Sequence, residues 1–172
     1  MLSNASESCA MSGIPDPQDE ARIYLDTNVF IDVFEGQGPI SRALEALFLA
    51  EGDWKLQPLV TSELTLSELL VKPLETRRAE LVSVYDNWTI TNDQIEVVPV
   101  VRRVLHTAAE IRAKEKSMKL PDAIHVASAV AVGCRFFLTR DTTLWTPPEI
   151  SKVLTTEDNV WRLFKEISAR AH

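Results

Sequence analysis

Asp26, Glu68, Asp122 and Asp141 stand apart from the other acidic residues by what surrounds them. Asp26 closes the apolar run Ile23-Tyr24-Leu25. Glu68 sits inside Leu64-Thr65-Leu66-Ser67-Glu68-Leu69-Leu70, and Asp122 opens a stretch of small and apolar residues that ends at Gly133. Asp141 follows Phe136-Phe137-Leu138-Thr139 and Arg140. A carboxylate beside a buried segment is costly unless it is paired or bound to a metal. Taken singly, each has an ordinary reading: Asp26 and Asp122 as helix caps or first-turn acids, Glu68 on the solvent edge of its helix, Asp141 in a turn. Taken together they ask for more. At about 4 Å and an effective dielectric near 20, each like-charge pair costs roughly 4 kcal/mol. Several such pairs would exceed the ~5–15 kcal/mol that holds a small domain together. Protons or a divalent cation must relieve the repulsion. Oxygen ligands select Mg²⁺ or Mn²⁺ over zinc, and Mg²⁺ keeps waters and takes phosphate oxygens from a substrate. The chemistry that suits such a cluster is metal-assisted phosphodiester hydrolysis.

The elements that must position these groups are legible in the pattern. Ile23 to Leu25 reads as a buried strand. Helices follow over Val29 to Glu35 and from Ile40 to about Gly52, separated by Gly36-Gln37-Gly38-Pro39. Trp54 to Val60 is a second strand, weakened by Pro58. Thr61 or Ser62 caps a helix that runs to about Val71 and stops before Pro73, and Glu75 to Trp88 is a further helix. Ile95 to Val98 is a third strand, and Val100 to Ser117 a long amphipathic helix. Leu120-Pro121-Asp122 opens a small-residue helix over Ala123 to Val132, with Pro121 suited to its first turn. Arg135 to Leu138 is a fourth strand and Val153-Leu154-Thr155 a candidate fifth. Residues 157–169 form a closing helix behind Thr156. Strands alternating with helices make an α/β domain: a Rossmann-like parallel sheet of four to five strands with helices on both faces. In such sheets the site lies beyond the carboxyl ends of the strands, where the strand order reverses. Asp26 and Asp141 both follow such an end.

Composition sets outer bounds. The chain has 172 residues, 45% hydrophobic and 25% charged, which fits one globular domain. No apolar run approaches the ~20 residues that span a bilayer, so no membrane role is expected. Residues 1–20 carry Glu7, Asp16, Asp19 and Glu20 and no basic residue, and they read as a disordered leader before a single domain over 21–172, with Met11 as an alternative start. Cys9 and Cys134 make neither a disulfide framework nor a thiolate zinc site, so the cytoplasm is the expected compartment. The net charge is −7, yet residues 101–120 carry six basic against two acidic side chains. That stretch reads as a solvated helix face, with guidance of RNA as the alternative.

The motifs match a known family. Leu25-Asp26-Thr27-Asn28, Ser67-Glu68-Leu69-Leu70-Val71-Lys72-Pro73, Leu120-Pro121-Asp122-Ala123-Ile124-His125-Val126-Ala127-Ser128-Ala129 and Leu138-Thr139-Arg140-Asp141 resemble the PIN-domain nucleases. Their order and spacing resemble the stand-alone ribonuclease toxins of the VapC type. The resemblance covers about residues 22 to 155. It implies a Rossmann-like sheet with Asp26, Glu68, Asp122 and Asp141 as its catalytic acids. Asp26 would ligate the metal directly, with Asp122 and Asp141 completing its shell. Glu68 would act through water, and Thr27, Asn28 and Thr139 would support the acids. The implied reaction is cleavage of single-stranded RNA to a 5′-phosphate and a 3′-hydroxyl with Mg²⁺ or Mn²⁺. The implied partners are the RNA, a cognate antitoxin protein and a second copy of the chain.

One position departs from the family pattern. The residue before the last acid is often Asn, and here it is Arg140, a candidate contact for the scissile phosphate. His125 lies one turn after Asp122 on the same face and is a candidate base, ligand or substrate contact. Glu63 rivals Glu68 in sequence, but five positions is about 140° around a helix, so the two cannot share a face. The rival functions are an RNA-processing PIN nuclease that is not a toxin, and a PIN-like binding module without catalysis. An aspartate-phosphorylating domain would want paired acids on the first strand and a Lys after a late one, and Asn28 stands where the second acid would be. A variant lacking residues 1–20 is expected to keep the thermal stability and activity of the full chain; a marked loss of either refutes the leader reading.

Overall fold

The computed structural model describes residues 21–50 and 57–169. The expected leader over residues 1–20, with Cys9 and Met11, and Trp54 in the expected second strand all lie outside the described residues. Along the chain the elements are β1 (Ile23–Leu25), α1 (Thr27–Phe34), α2 (Pro39–Phe48), β2 (Leu59–Ser62), α3 (Glu63–Glu75), α4 (Ala79–Trp88), β3 (Ile95–Val98), α5 (Arg102–Lys114), α6 (Leu120–Ala131), β4 (Phe136–Thr139), β5 (Ser151–Leu154) and α7 (Glu157–Ser168). The strands form one all-parallel sheet in the order β3-β2-β1-β4-β5. The fold is the expected α/β class with five strands.

Strand residues alternate between two cores, as a period of two demands. Ile23, Leu25, Leu59, Ile95, Leu138 and Val153 face a layer built from α1, α2, α3, α4 and α7. Tyr24, Val60, Val98 and Phe137 face the opposite layer, built from α5 and α6. Helices therefore cover both faces, which is why the strands are short apolar runs rather than polar-apolar alternations. Chain order runs outward from β1 through β2 to β3, then returns to place β4 on the other side of β1. The reversal falls between β1 and β4, and Asp26 and Asp141 follow the carboxyl ends of these two strands.

Several boundaries differ from expectation, each for a local reason. Helix α1 starts at Thr27 rather than Val29, because Asp26 itself is the N-cap and accepts a bond from the Thr27 amide at 2.8 Å. Helix α3 runs through Pro73 to Glu75. A proline this close to a helix end removes a single ladder bond, and Pro73 is buried. Helix α4 begins at Ala79, not Glu75, because the chain turns at Arg77 with φ +57°. Helix α5 is trimmed to Arg102–Lys114, whereas α6 opens at Leu120 as expected, with Pro121 in its first turn. Thr156 caps α7 as expected, accepting from the Asn159 amide at 3.4 Å.

At the amino edge of the sheet the buried Arg22 side chain ties three segments together. It donates to the Val132 carbonyl at 2.8 Å and the Gln57 carbonyl at 3.1 Å, and pairs with Glu96 of β3. Arg22→Met is expected to lower the unfolding free energy by about 1.5–3 kcal/mol, the range for hydrogen bonds from a charged donor. Urea unfolding with an unchanged m value checks this, and an unaltered midpoint would show that the tie is dispensable.

Candidate active site

The register of the central strands brings the first two groups together. Leu25 of β1 pairs with Leu138 of β4, so Asp26 and Thr139 meet at the carboxyl edge. The Thr139 hydroxyl donates to Asp26 Oδ2 at 2.5 Å, and Asn28 Nδ2 donates to the same oxygen at 2.6 Å. Oδ1 accepts the Thr27 amide at 2.8 Å. A carboxylate has about four acceptor positions, so one remains on Oδ1. The two supports also reach across the edge. Thr139 Oγ1 accepts the Asp141 amide at 3.0 Å, and Asn28 Oδ1 accepts the Arg140 amide at 3.0 Å. Thr27, Asn28 and Thr139 thus stand where support was expected.

Glu68 joins them from α3. It accepts hydrogen bonds from the Thr27 hydroxyl and from His125 Nε2, the latter at 2.9 Å. Burial would raise its pKa, but the bonds from His125 and Thr27 and the nearby His125 ring outweigh that and hold it below the usual carboxylate range. Glu63 lies exposed in the first turn of α3, so the choice of Glu68 over Glu63 agrees with the geometry.

Asp122, in the first turn of α6, is half-buried and differently placed. Burial, then the negative charge of Asp26, hold its pKa above the usual value; Lys119 opposes this, Asp141 adds to it, and His125 opposes it weakly. Asp26, Asp122 and Asp141 therefore share one electrostatic neighbourhood. Asp141 is the least confined of the three. Its Oδ1 accepts the amide and hydroxyl of Thr143, both at 2.7 Å, and these bonds pull its pKa down.

Among the described residues no three His, Cys, Asp or Glu side chains are gathered closely enough to enclose an ion directly. The donors at this edge are carboxylates, and the Asp122 carboxyl is raised first by burial and then by the negative charge of Asp26. Such a set suits a hydrated Mg²⁺ or Mn²⁺, which keeps waters and needs only one or two carboxylates. Asp26, Asp122 and Asp141 are the residues that fit it.

Two predicted contacts separate by exposure. His125 is 3% exposed, and both ring nitrogens are engaged: Nε2 by Glu68, and Nδ1 by the Tyr24 hydroxyl at 2.8 Å. No ring nitrogen is left for a substrate. The Arg140 guanidinium, by contrast, is exposed and paired with Asp32 on α1 at 2.5 Å. Burial raises the Asp32 pKa, and Arg140 opposes that. Trp88 packs on Phe34 and Phe48, and Trp145 lies against the α5/α6 core. Cys134 is buried, its thiol pushed up to about 12.

Sequence reasoning passed over Tyr24, Asp32, Lys119 and Thr143. Each left a trace: Tyr24 is the one hydroxyl in an apolar strand, and Asp32 lies four residues after Asn28, on the same helix face. Lys119 directly precedes α6, and Asp141-Thr142-Thr143 has the form of an Asx turn.

The PIN domain family model matches residues 23–145, well over half of the chain. Among solved structures, a toxin–antitoxin complex from Klebsiella pneumoniae aligns with a TM-score of 0.53 at 24% identity, covering 78% of this chain and 98% of that one. VapBC2 from Rickettsia felis, bound to a DNA fragment from its promoter, gives 0.56 at 15% identity, over 77% and 98%. FitAcB from Neisseria gonorrhoeae gives 0.51 at 20% identity, over 77% and 97%. At these identities the likeness is one of fold. A search of curated proteins finds no match.

The raised Asp122 carboxyl makes a signed prediction for the metal-free protein. An acid raised in the folded state binds more protons folded than unfolded, so its ionisation costs stability as pH rises through that raised value, and the cost vanishes below the unfolded pKa. In EDTA, the melting temperature of Asp122→Asn relative to wild type is expected to rise as pH climbs from the ordinary carboxylate range through the raised Asp122 value, and to level off above it. A relative melting temperature that is flat or falls through this rise contradicts the raised Asp122 carboxyl and the burial and neighbouring charge behind it.

Proposed function

The chain belongs to the PIN domain family, and from that premise we propose that it is a metal-dependent endoribonuclease cleaving single-stranded RNA, the toxin of a toxin–antitoxin pair. The observation that carries this reading is the Asp26 carboxylate, fixed by Thr27, Asn28 and Thr139 at the strand-order reversal within the charge field of Asp122 and Asp141. Asp26, Asp122 and Asp141 would hold Mg²⁺ or Mn²⁺. When bound, such a cation supplies charge stabilisation at the phosphate and activates water.

The chain's own residues do the rest. Thr139 and Asn28 keep Asp26 from rotating. Glu68, held as the carboxylate by Thr27 and His125, accepts hydrogen bonds from a water and orients it toward the phosphorus. Arg140 is the side chain at this edge free to exchange its partner for a phosphate oxygen, since an exposed ion pair is worth only about 0–1 kcal/mol. His125 is a support within this reading, not a substrate contact.

The toxin reading draws on the family and on the similarity in fold to the toxin–antitoxin complex from Klebsiella pneumoniae. It brings with it an antitoxin protein and a homodimer as partners and the cytoplasm as compartment. Among the described residues no helix is long and apolar enough to cross a membrane. Growth arrest on expression without a partner favours the toxin over an RNA-processing PIN nuclease, and a chain that binds RNA without cutting it favours the binding module.

Asp26→Asn is the sharpest test. Asn caps a helix as well as Asp does, so the variant is expected to fold. Cleavage of single-stranded RNA with Mg²⁺ or Mn²⁺ is expected to drop more than about 100-fold, beyond what loss of an outer-shell partner brings. EDTA should silence the wild type and added cation restore it. Retained cation-dependent cleavage by the variant would remove the assignment.

A further inference from the structure

A chain of three hydrogen-bonded side chains runs from the sheet interior to the site. Tyr24 of β1 is fully buried and its hydroxyl meets His125 Nδ1 at 2.8 Å. The other ring nitrogen meets Glu68 Oε2 at 2.9 Å. Glu68 lies half-buried at the site's edge and also takes the Thr27 hydroxyl. The three residues come from a strand and two helices, so the contact is a tertiary one. Packing alone does not call for it: leucine and phenylalanine would fill β1 and α6 at no polar cost, whereas a buried phenol and imidazole must find partners.

We propose that Tyr24 and His125 are positioning residues for Glu68: the Tyr24 hydroxyl holds His125 as its Nε2–H tautomer, and Nε2–H fixes the Glu68 carboxylate for the water that attacks the phosphodiester. The assignment rests on the nuclease reading above and deepens it. An ionised carboxylate only accepts hydrogen bonds, so the nitrogen facing it must carry the proton. In the neutral imidazole Nδ1 is then the acceptor, and the Tyr24 hydroxyl is its donor. The Ser62 and Ser128 hydroxyls, also fully buried, lie beside the same phenol. The arrangement resembles in logic a metal-site histidine whose tautomer is set by its outer partner. Here the oriented group is a carboxylate.

The test uses the full chain in two ways. First, ¹⁵N spectra of the imidazoles in Mg²⁺ buffer, with the His125 signals assigned by their absence in His125→Gln, report the tautomer. The expected result is protonated Nε2 and unprotonated Nδ1, giving way to a tautomer mixture in Tyr24→Phe. Second, cleavage kinetics are compared for His125→Leu, His125→Gln and Tyr24→Phe. His125→Leu is expected to lose about 10- to 100-fold in kcat at unchanged KM, the usual effect of an outer-shell partner. His125→Gln can place an amide N–H where Nε2–H was and should recover much of that loss, with Tyr24→Phe between the two. If His125→Leu fails to fold, Tyr24→Phe carries the test, since it deletes a single oxygen. A wild-type ring that carries a proton on Nδ1, as the Nδ1–H tautomer or as the imidazolium, a Gln variant no better than Leu, or a folded Tyr24→Phe variant within about twofold of wild-type kcat overturns the proposal. A wild type that cuts no RNA yet shows the Nε2–H form overturns the nuclease reading and supports the hydrogen-bond chain. Cleavage with the Nδ1–H form overturns the positioning role alone.

Discussion

The site depends on one carboxylate being held still between two neighbouring strand ends. Asp26 follows β1, and the strand that flanks it, β4, ends in Thr139, whose hydroxyl bonds to Asp26 on one side and to the Asp141 amide on the other. Asn28 repeats the pattern, donating to Asp26 and accepting from the Arg140 amide. Two short polar side chains thus stitch together segments more than a hundred residues apart. The stitch exists only in this register. A slip of one residue between β1 and β4 would turn every strand side chain to the other face, exchanging Leu25 for Tyr24 and scattering the cluster.

Holding carboxylates together creates a charge problem that the protein solves unevenly. Glu68 has its own donors in Thr27 and His125, and Asp141 has Thr143. Both are held below the usual range. Asp122 has only Lys119 and, more weakly, His125 to set against burial, Asp26 and Asp141, and it stays above it. The strain is therefore concentrated at one side chain rather than spread over the set. Such a distribution suits a site that sacrifices some stability to keep a place for a cation. It also explains why the ordinary and the functional readings of these acids do not exclude each other: Asp26 is a helix cap, and Asp122 is a first-turn acid, while both take part in the cluster.

The sequence was most informative where local and global demands agree. The β1 and β4 runs stop at polar residues because the sheet edge is wet there, and an apolar run broken by Asp is visible in one dimension. Order and composition also led to the parallel sheet, since strands buried on both faces lose the alternation that marks a half-exposed sheet. What failed to show was backbone geometry decided by tertiary contact. Pro73 reads as a stop, yet its ring is buried and the helix passes through it. Arg77 has no Gly-like signature, yet it turns the chain at φ +57°. The supporting residues were half-legible: Thr27, Asn28 and Thr139 sit beside the acids they hold, whereas Tyr24 reaches the site only through His125, and no spacing in the sequence announces a contact between residues 24 and 125.

Exposure separates the two basic groups that the sequence placed near the acids. His125 engages both nitrogens with Tyr24 and Glu68 and lies in the α5/α6 face of the sheet, so reaching a ligand would require opening the core and leaving the buried Tyr24 hydroxyl without this partner, at about 1–3 kcal/mol. Arg140 has its backbone pinned by Asn28 but its guanidinium in solvent, held by a single carboxylate on α1. Releasing Asp32 for a phosphate exchanges one charge-assisted bond for another and disturbs nothing in the core. The pinned backbone makes this exchange local: the side chain can swing, while the strand end that carries Thr139 and Asp141 stays in register with Asp26.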